Sequence, residues 1–288
     1  MSIQRGGPEA GGHPVVDAQV HLWGADSPGR PWRPDGHLYA HREGAFLAAE
    51  LLEAMAGAGV DRAVLVPPSW EGDRNDVVSE AAARHPDRFA WLGRIDLAAP
   101  DGPRVLSELR ARPGMRGVRL TFSHGPSASW LEDGTADWIW PLLERQGTPV
   151  MVFAPGRHRA LEEVARLHPG LRLTVDHVGV GTEVRDAPIM PLVEPVAALA
   201  RLPNVAVKAT ALPCLVSEPF PYPSLREPLL RLLEAFGPRR VFWGTDLTRL
   251  PCTYLEARLF AEELGVVSGP GRDWLYGRAI SEWLGWEP

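Results

Sequence analysis

Short apolar runs alternate with amphipathic stretches along almost the whole chain. Eight runs rich in aliphatic and aromatic residues predict buried strands, at 14–22, 61–68, 88–96, 115–122, 148–154, 171–179, 204–210 and 239–246. Between them, apolar residues recur every three or four positions and predict helices, as at 45–59, 76–86, 103–112, 160–170 and 225–237. Gly59, Gly170 and Gly237 stand where glycine commonly ends a helix. This alternation predicts parallel strands joined by helices.

Eight strand–helix units in 288 residues predict an α/β fold, a (β/α)₈ TIM barrel. The barrel is expected to be one domain over residues 14–288, preceded by a disordered tail at 1–13 that lacks the apolar core of a signal peptide. An extra C-terminal helix, 272–285, is predicted to pack outside the barrel or to cover its lower face. An open doubly wound sheet is the alternative, but no glycine-rich phosphate loop follows the first strand.

The composition and charge of the chain favour a small-molecule substrate over nucleic acid or a membrane as its partner. The formal net charge is -6 and no long cluster of Lys and Arg occurs, which argues against nucleic acid or an anionic membrane. No apolar run is long enough to span a bilayer. Two cysteines cannot build a disulfide framework, so we expect a reducing, cytoplasmic location.

Polar residues concentrate at the C-terminal ends of the predicted strands, where a TIM barrel carries its active site. They are Gln19, His21, Ser69, Arg94, Asp96, Arg119, Thr121, Asp176, His177, Lys208, Thr210 and Asp246. In the first strand, alternation by two predicts that Asp17, Gln19 and His21 share one face. Asp17 would lie deeper than the other two and make buried hydrogen bonds.

Three segments carry a family resemblance. "VDAQVHLW" (16–23), "VDHVG" (175–179) and "WGTDLTRLP" (243–251) resemble the marker segments of the amidohydrolase superfamily, in its amidohydrolase-2 branch. That branch includes 2-pyrone-4,6-dicarboxylate lactonase, sugar lactonases and metal-dependent decarboxylases, all TIM barrels. The resemblance implies a water activated by the Asp of strand 8, here Asp246. Typical members also carry His-x-His on strand 1 and His on strands 5 and 6.

The chain departs from that pattern at two positions. Gln19 replaces the first His of strand 1, and strand 5 ends in Ala154 and Pro155. Gln is a poor zinc ligand, so the loss of two imidazoles weakens a metal site. If a metal ion such as zinc is bound, the remaining ligands would be His21, His177 and Asp246. No metal is expected to be obligatory.

The residues suggest a division of roles. Asp246 is the predicted general base, and His21 and His177 would polarise the carbonyl under attack. Arg119 would hold a substrate carboxylate or carbonyl in a bidentate grip. The other predicted substrate-binding residues are Gln19, Ser69, Lys208 and Trp23. Five further histidines are expected on loops or helix ends, His37, His41, His85, His158 and His168.

Three functions stay open. The favoured one is a hydrolase of a lactone or related cyclic ester that uses Asp246 without an obligatory metal. The second is a zinc-dependent amidohydrolase or decarboxylase that acts on a small carboxylic acid, aromatic or not, through one divalent ion. The third is a barrel that has lost catalysis and only binds. Loops 123–138 and 211–224 could form a lid or a homo-oligomer contact, and the sequence leaves that choice open.

Overall fold

A computed structural model describes residues 12–286, so the predicted tail lies outside the described residues except for Gly12 and His13. Eight parallel strands pair in chain order from first to last, which confirms the predicted (β/α)₈ fold. They are β1 Val16–His21, β2 Arg62–Val66, β3 Phe89–Gly93, β4 Met115–Thr121, β5 Val150–Phe153, β6 Leu173–Val175, β7 Val205–Thr210 and β8 Val241–Gly244.

Helices follow the strands and form the outer layer. They are α1 Ala48–Ala58, α2 Asp76–Arg84, α3 Gly102–Arg110, α4 Ile139–Arg145, α5 His158–Leu167, α6 Ile189–Ala197, α7 Arg226–Phe236, α8 Tyr254–Glu263, α9 Pro270–Asp273 and α10 Ala279–Leu284. Gly59 and Gly237 cap α1 and α7 with positive φ, as predicted, whereas α5 is capped by His168, before Gly170. No helix of the described residues is long and apolar enough to cross a membrane.

The predicted C-terminal helix is present and covers the lower face of the barrel. It runs through α9 and α10, which are joined by a π-helical turn at Trp274–Arg278. Ile280 and Leu284 pack with the small and aliphatic side chains that fill the barrel interior, among them Ala18, Val64 and Leu92. This end of the barrel is therefore closed by apolar packing, and any site must lie at the other end.

The first and last strands meet at a seam that a buried carboxylate completes. Backbone hydrogen bonds join Asp246 N to Gln19 O (2.9 Å) and His21 N to Leu247 O (3.2 Å). One step earlier, Asp17 Oδ1 accepts from Thr245 N (3.0 Å) and Asp17 Oδ2 from Thr245 Oγ1 (2.5 Å). Asp17 also accepts from Gln19 N (3.0 Å) and from the Tyr254 hydroxyl (2.8 Å). The side chain thus substitutes for a backbone acceptor in closing the barrel.

The predicted shared face of Asp17, Gln19 and His21 is wrong for Asp17. From the pair Asp17–Ala63 to the pair Val20–Leu65, β1 advances by three residues and β2 by two. The extra residue in β1 is a β-bulge. Ala18 packs in the barrel interior, so Asp17 faces the surrounding helices, where it meets Tyr254 at the start of α8. The extra residue breaks the alternation and returns Gln19 and His21 to the inside. The predicted buried hydrogen bonding of Asp17 is confirmed.

Candidate active site

Six of the sequence-predicted site residues lie together at the upper end of the barrel. They are Gln19, His21, Arg119, His177, Lys208 and Asp246, each buried. Trp23 is not among them; it belongs to the apolar core, where it packs against Phe46 and Trp70. Ser69 starts a short 3₁₀ turn after β2, and no side-chain hydrogen bond connects it with the cluster within the described residues.

Asp246 follows β8 in a left-handed backbone conformation, with φ 59°. Such a conformation in a non-glycine residue is typical of functional sites. Oδ1 accepts from Gln19 Nε2 at 3.0 Å and lies 3.0 Å from His21 Nε2. Oδ2 has no hydrogen-bond donor within 12–286, and the nearest cation, Arg249 Nη1, is 3.9 Å away. One carboxylate oxygen is therefore anchored, and the other is free to meet a water or a substrate.

The charge of Asp246 is secured by its neighbours. Burial alone would raise the pKa of this carboxyl, but His177, His21 and His41 outweigh that effect and hold the pKa well below its usual range. Gly244 ends β8 two residues before Asp246, and a Cβ there would come within 2.7 Å of Thr210 Cγ2 and 2.8 Å of Asp17 Oδ1. The glycine lets β8 approach both β7 and the seam.

The amide of Gln19 has a fixed orientation. Lys208 Nζ lies 2.7 Å from Gln19 Oε1, and an ammonium only donates, so this atom must be the amide oxygen. The amide nitrogen then faces Asp246 and, at 3.1 Å, His177 Nε2. Because the amide donates, His177 accepts at Nε2, and its Nδ1 donates to Thr210 Oγ1 at 2.8 Å. Burial lowers the pKa of His177 to about 4, which agrees with this neutral form.

His21 is oriented by the backbone of the neighbouring strand. Its Nδ1 lies 2.7 Å from Val66 O and must carry a proton, because a carbonyl only accepts. Its Nε2 faces Asp246 Oδ1. That contact is favourable when Nε2 is also protonated, or when both atoms share a cation.

His41 lies on a loop, as predicted, but the structure brings its side chain into the site, a role that the sequence did not indicate. His41 comes from the long loop between β1 and α1, and its ring lies 5.5 Å from that of His21 and 4.8 Å from that of Trp70. Its Nδ1 is buried without a hydrogen-bond partner in the described part of the chain. Burial lowers its pKa to about 3. His21, His41 and Asp246 each offer a ligand atom, and these atoms lie within 4.8 Å of one another.

A buried ionic group lies beside Gln19. Asp176 is fully buried, with Arg119 Nε 3.0 Å and Lys208 Nζ 3.3 Å from its two oxygens. Burial opposes ionisation of Asp176, but the two cations hold its pKa below the usual range. Burial also lowers the pKa of Lys208 to about 8. Two cations against one carboxylate leave this part of the site positive.

Arg119 connects this group to a cavity of about 370 Å³ above β3 and β4. Arg33, Arg94 and Arg119 line it, together with Trp130 from loop 123–138. Arg94 Nε and Arg119 Nη1 are buried and lack hydrogen-bond partners within the described residues. Asp73 and Asp96 also line the cavity, and Arg119 belongs to the Asp176 group as well, so the cavity and that group together hold four cations and three carboxylates. Buried guanidinium nitrogens without a hydrogen-bond partner fit an anionic ligand.

A metal fits this chain differently from the set that the family resemblance implies. Gln19 turns its oxygen towards the Lys208 ammonium, and it turns its amide nitrogen, which only donates, towards Asp246. The Nε2 lone pair of His177 accepts from that amide. The atoms left for an ion are those of His21, His41 and Asp246, three ligands from the types that zinc uses.

Comparison with known proteins agrees with the barrel. The family model for amidohydrolases matches residues 16–272. Over 202 residues, the chain is 28% identical to 4-sulfomuconolactone hydrolase of Hydrogenophaga intermedia, a match that covers 68% of this chain. The match spans 63% of that relative, less than two thirds of its length.

Two solved structures have the same architecture. An amidohydrolase from Burkholderia multivorans with bound zinc has a TM-score of 0.78 and 20% identity, covering 96% of this chain and 100% of that chain. A probable 2-pyrone-4,6-dicarboxylic acid hydrolase from Acinetobacter baumannii with citric acid bound has a TM-score of 0.74 and 16% identity, covering 94% and 99%. At these identities, the likeness concerns the fold.

Proposed function

We propose that this chain, which belongs to the amidohydrolase family, hydrolyses a lactone that carries a carboxylate or sulfonate group, with Asp246 as general base. The observation that carries the proposal is the arginine-lined cavity, because Arg119 in its wall pairs with Asp176, which also pairs with Lys208 beside Gln19. The relatives support it, because one is named a sulfomuconolactone hydrolase and another a probable pyrone dicarboxylic acid hydrolase. Both names describe acidic cyclic esters.

The mechanism follows from the free oxygen of Asp246. Asp246 Oδ2 takes a proton from a water whose oxygen attacks the lactone carbonyl carbon. Negative charge develops on the carbonyl oxygen, and the positive field of Lys208 and Arg119 stabilises it. The ring C–O bond then breaks, and the departing oxygen takes the proton back from Asp246. The product is the open-chain hydroxy acid, and water is the only co-reactant.

The remaining residues keep the base in position. Gln19 and His21 hold Oδ1 of Asp246, which leaves Oδ2 for the water. Arg94 and Arg119 would bind the acid group of the substrate through their unpartnered nitrogens. Fixing the substrate in this way converts the attack into an effectively unimolecular step.

The test is Asp246→Asn, assayed with 4-sulfomuconolactone, 2-pyrone-4,6-dicarboxylate and a neutral lactone. The amide cannot take the proton, so we expect kcat to fall by about 10²–10⁴, or roughly 3–5 kcal/mol in the barrier. The control is Asp87→Asn, an exposed carboxylate before β3, at the opposite end of the barrel. Activity of Asp246→Asn within a few-fold of wild type, or no preference for the anionic lactones, would refute the proposal. No turnover of any lactone by the wild type would favour a binding role.

A zinc-dependent hydrolase or decarboxylase is the second candidate, because His21, His41 and Asp246 offer three ligand atoms. The zinc in the Burkholderia multivorans structure adds to it. A bound ion would supply a Lewis acid and an activated water, and Asp246 would then be a ligand. On our proposal, activity survives exhaustive chelation. Loss of activity on chelation, with recovery on adding zinc, would promote the second candidate.

A further inference from the structure

We infer that Lys208 and Gln19 together replace a bound cation in this active site, an inference that rests on the proposed metal-independent hydrolysis. Gln19 Nε2 lies 3.0 Å from Asp246 Oδ1 and 3.1 Å from His177 Nε2. Those two acceptor atoms are 3.8 Å apart, a spacing that one ion with bonds of about 2.0–2.2 Å could bridge. The amide nitrogen occupies that interval and satisfies both acceptors with its two protons.

An amide carries no net charge, so the positive charge of the replaced cation has to come from Lys208. The ammonium is fully buried and donates to Gln19 Oε1 at 2.7 Å, which polarises the amide towards Asp246 and His177. A bound cation would provide the same two features, a positive charge and a fixed contact with each acceptor. Here the positive charge lies on Lys208, behind Gln19, and Gln19 makes the two contacts as hydrogen bonds.

The choice of residue supports this role. Lys208 is the only lysine in the sequence, and the other 29 of the 30 Lys+Arg residues are arginines. A compact ammonium lies between Gln19 Oε1 and Asp176 Oδ1, at 2.7 and 3.3 Å. A planar guanidinium would need more room and would direct its donors in a fixed fork. The position therefore calls for a point charge.

The pair of Lys208 and Gln19 also disfavours the binding of a metal ion. The Lys208 ammonium repels a metal cation, and its hydrogen bond keeps the Gln19 oxygen turned away from Asp246. Placing His at position 19 is therefore not enough to create a metal site while Lys208 remains. Removing the Lys208 ammonium as well should remove the repulsion of the ion. The two substitutions together should therefore raise metal affinity by more than the product of their separate effects.

The experiment is a double-mutant cycle read by zinc binding. Wild type, Gln19→His, Lys208→Met and the double variant are stripped with chelator, and their zinc affinity is measured by competition with a chromophoric chelator. We expect weak binding by wild type, at most a tenfold gain in each single variant, and a gain above a thousandfold in the double variant. A double-variant gain no larger than the product of the two single gains refutes the inference. So does tight binding of one equivalent by wild type.

Arg249→Met provides the matched control. Its guanidinium lies 3.9 Å from Asp246 Oδ2 and has no hydrogen bond to Gln19, so its removal changes the local charge without freeing the amide. Combined with Gln19→His, it should give additive gains, and excess coupling there would assign the effect to charge alone and overturn the role of the pair. Lys208→Gln repeats the cycle if Lys208→Met does not fold. Zinc affinity needs no substrate, so the cycle is decided independently of whether a lactone is hydrolysed.

Discussion

Asp17 should be worth several kcal/mol to the folded barrel, because it completes the seam between β1 and β8. Its carboxylate accepts from Thr245 N, Thr245 Oγ1, Gln19 N and Tyr254 Oη, at 3.0, 2.5, 3.0 and 2.8 Å. Asp17→Ala leaves these buried donors without an acceptor. Removing one partner of a buried charged network costs about 3–5 kcal/mol. Asp17→Asn keeps the shape and one acceptor oxygen, so we expect a loss of about 1–2 kcal/mol.

The same residue predicts an unusual pH dependence. Burial raises the pKa of Asp17 from 3.8 to about 6. Between these values the folded protein binds a proton that the unfolded chain has released, so this carboxyl adds stability as the pH falls through 6. From pH 7.5 to 4.5 the gain is about 2 kcal/mol. Asp17→Asn lacks this gain, so its deficit relative to wild type should grow by that amount.

Urea unfolding at pH 7.5 and 4.5, followed by tryptophan fluorescence, measures both effects. Asp61→Ala is the control, because exposed Asp61 accepts from Val15 N at 2.8 Å just before β1 and should matter by less than about 1 kcal/mol. A loss below about 1 kcal/mol in Asp17→Ala would refute the seam argument. An Asp17→Asn deficit that shrinks on acidification would refute the direction of its pKa.

Three further outcomes are expected. Arg119→Lys should lower kcat/KM for an anionic lactone by about 10–100-fold while the protein stays folded, because a point charge does not replace a bidentate fork; unchanged kinetics would make Arg119 structural. Burial lowers the pKa of His177 in the folded protein to about 4, so the folded state loses stability to this residue as the pH falls from 6.5 towards 4. His177→Asn lacks this loss, so urea unfolding should show about 3 kcal/mol less destabilisation of the variant over that range. Ile280→Ala, at the lower face, should cost about 2–4 kcal/mol of unfolding free energy and leave KM unchanged, and a raised KM would contradict the separation of the two ends.

The sequence was enough to predict the barrel because its strands are buried on both sides. Such strands appear as continuous apolar runs, and the helices between them keep a separate periodicity. The end of each run then marks the edge where parallel strands converge. For that reason Gln19, His21, Arg119, His177, Lys208 and Asp246 could be predicted as one group without knowledge of their contacts.

The contributions of loops could not be predicted in that way. His41 and Arg33 come from the 22–47 segment, which is rich in Gly and Pro and has no periodicity to fix the direction of a side chain. Their place in the site depends on how the segment folds over Trp70, which the His41 ring and the Arg33 backbone both contact. Histidine in such a segment gives no signal of its own, and a composition-based interpretation assigns it to the surface.

The bulge in β1 links the seam to the chemistry. Without the extra residue, strict alternation would put Asp17 and Gln19 on one face, and one of the two roles would be lost. With it, Asp17 holds Gln19 N and Thr245 N, and Gln19 O receives Asp246 N at 2.9 Å. Gln19 and Asp246 are thereby fixed to each other through their backbones before their side chains meet. On our proposal these backbone hydrogen bonds, and not a bound ion, bring Asp246 to Gln19, which is the condition that Lys208 and Gln19 require to act as we infer.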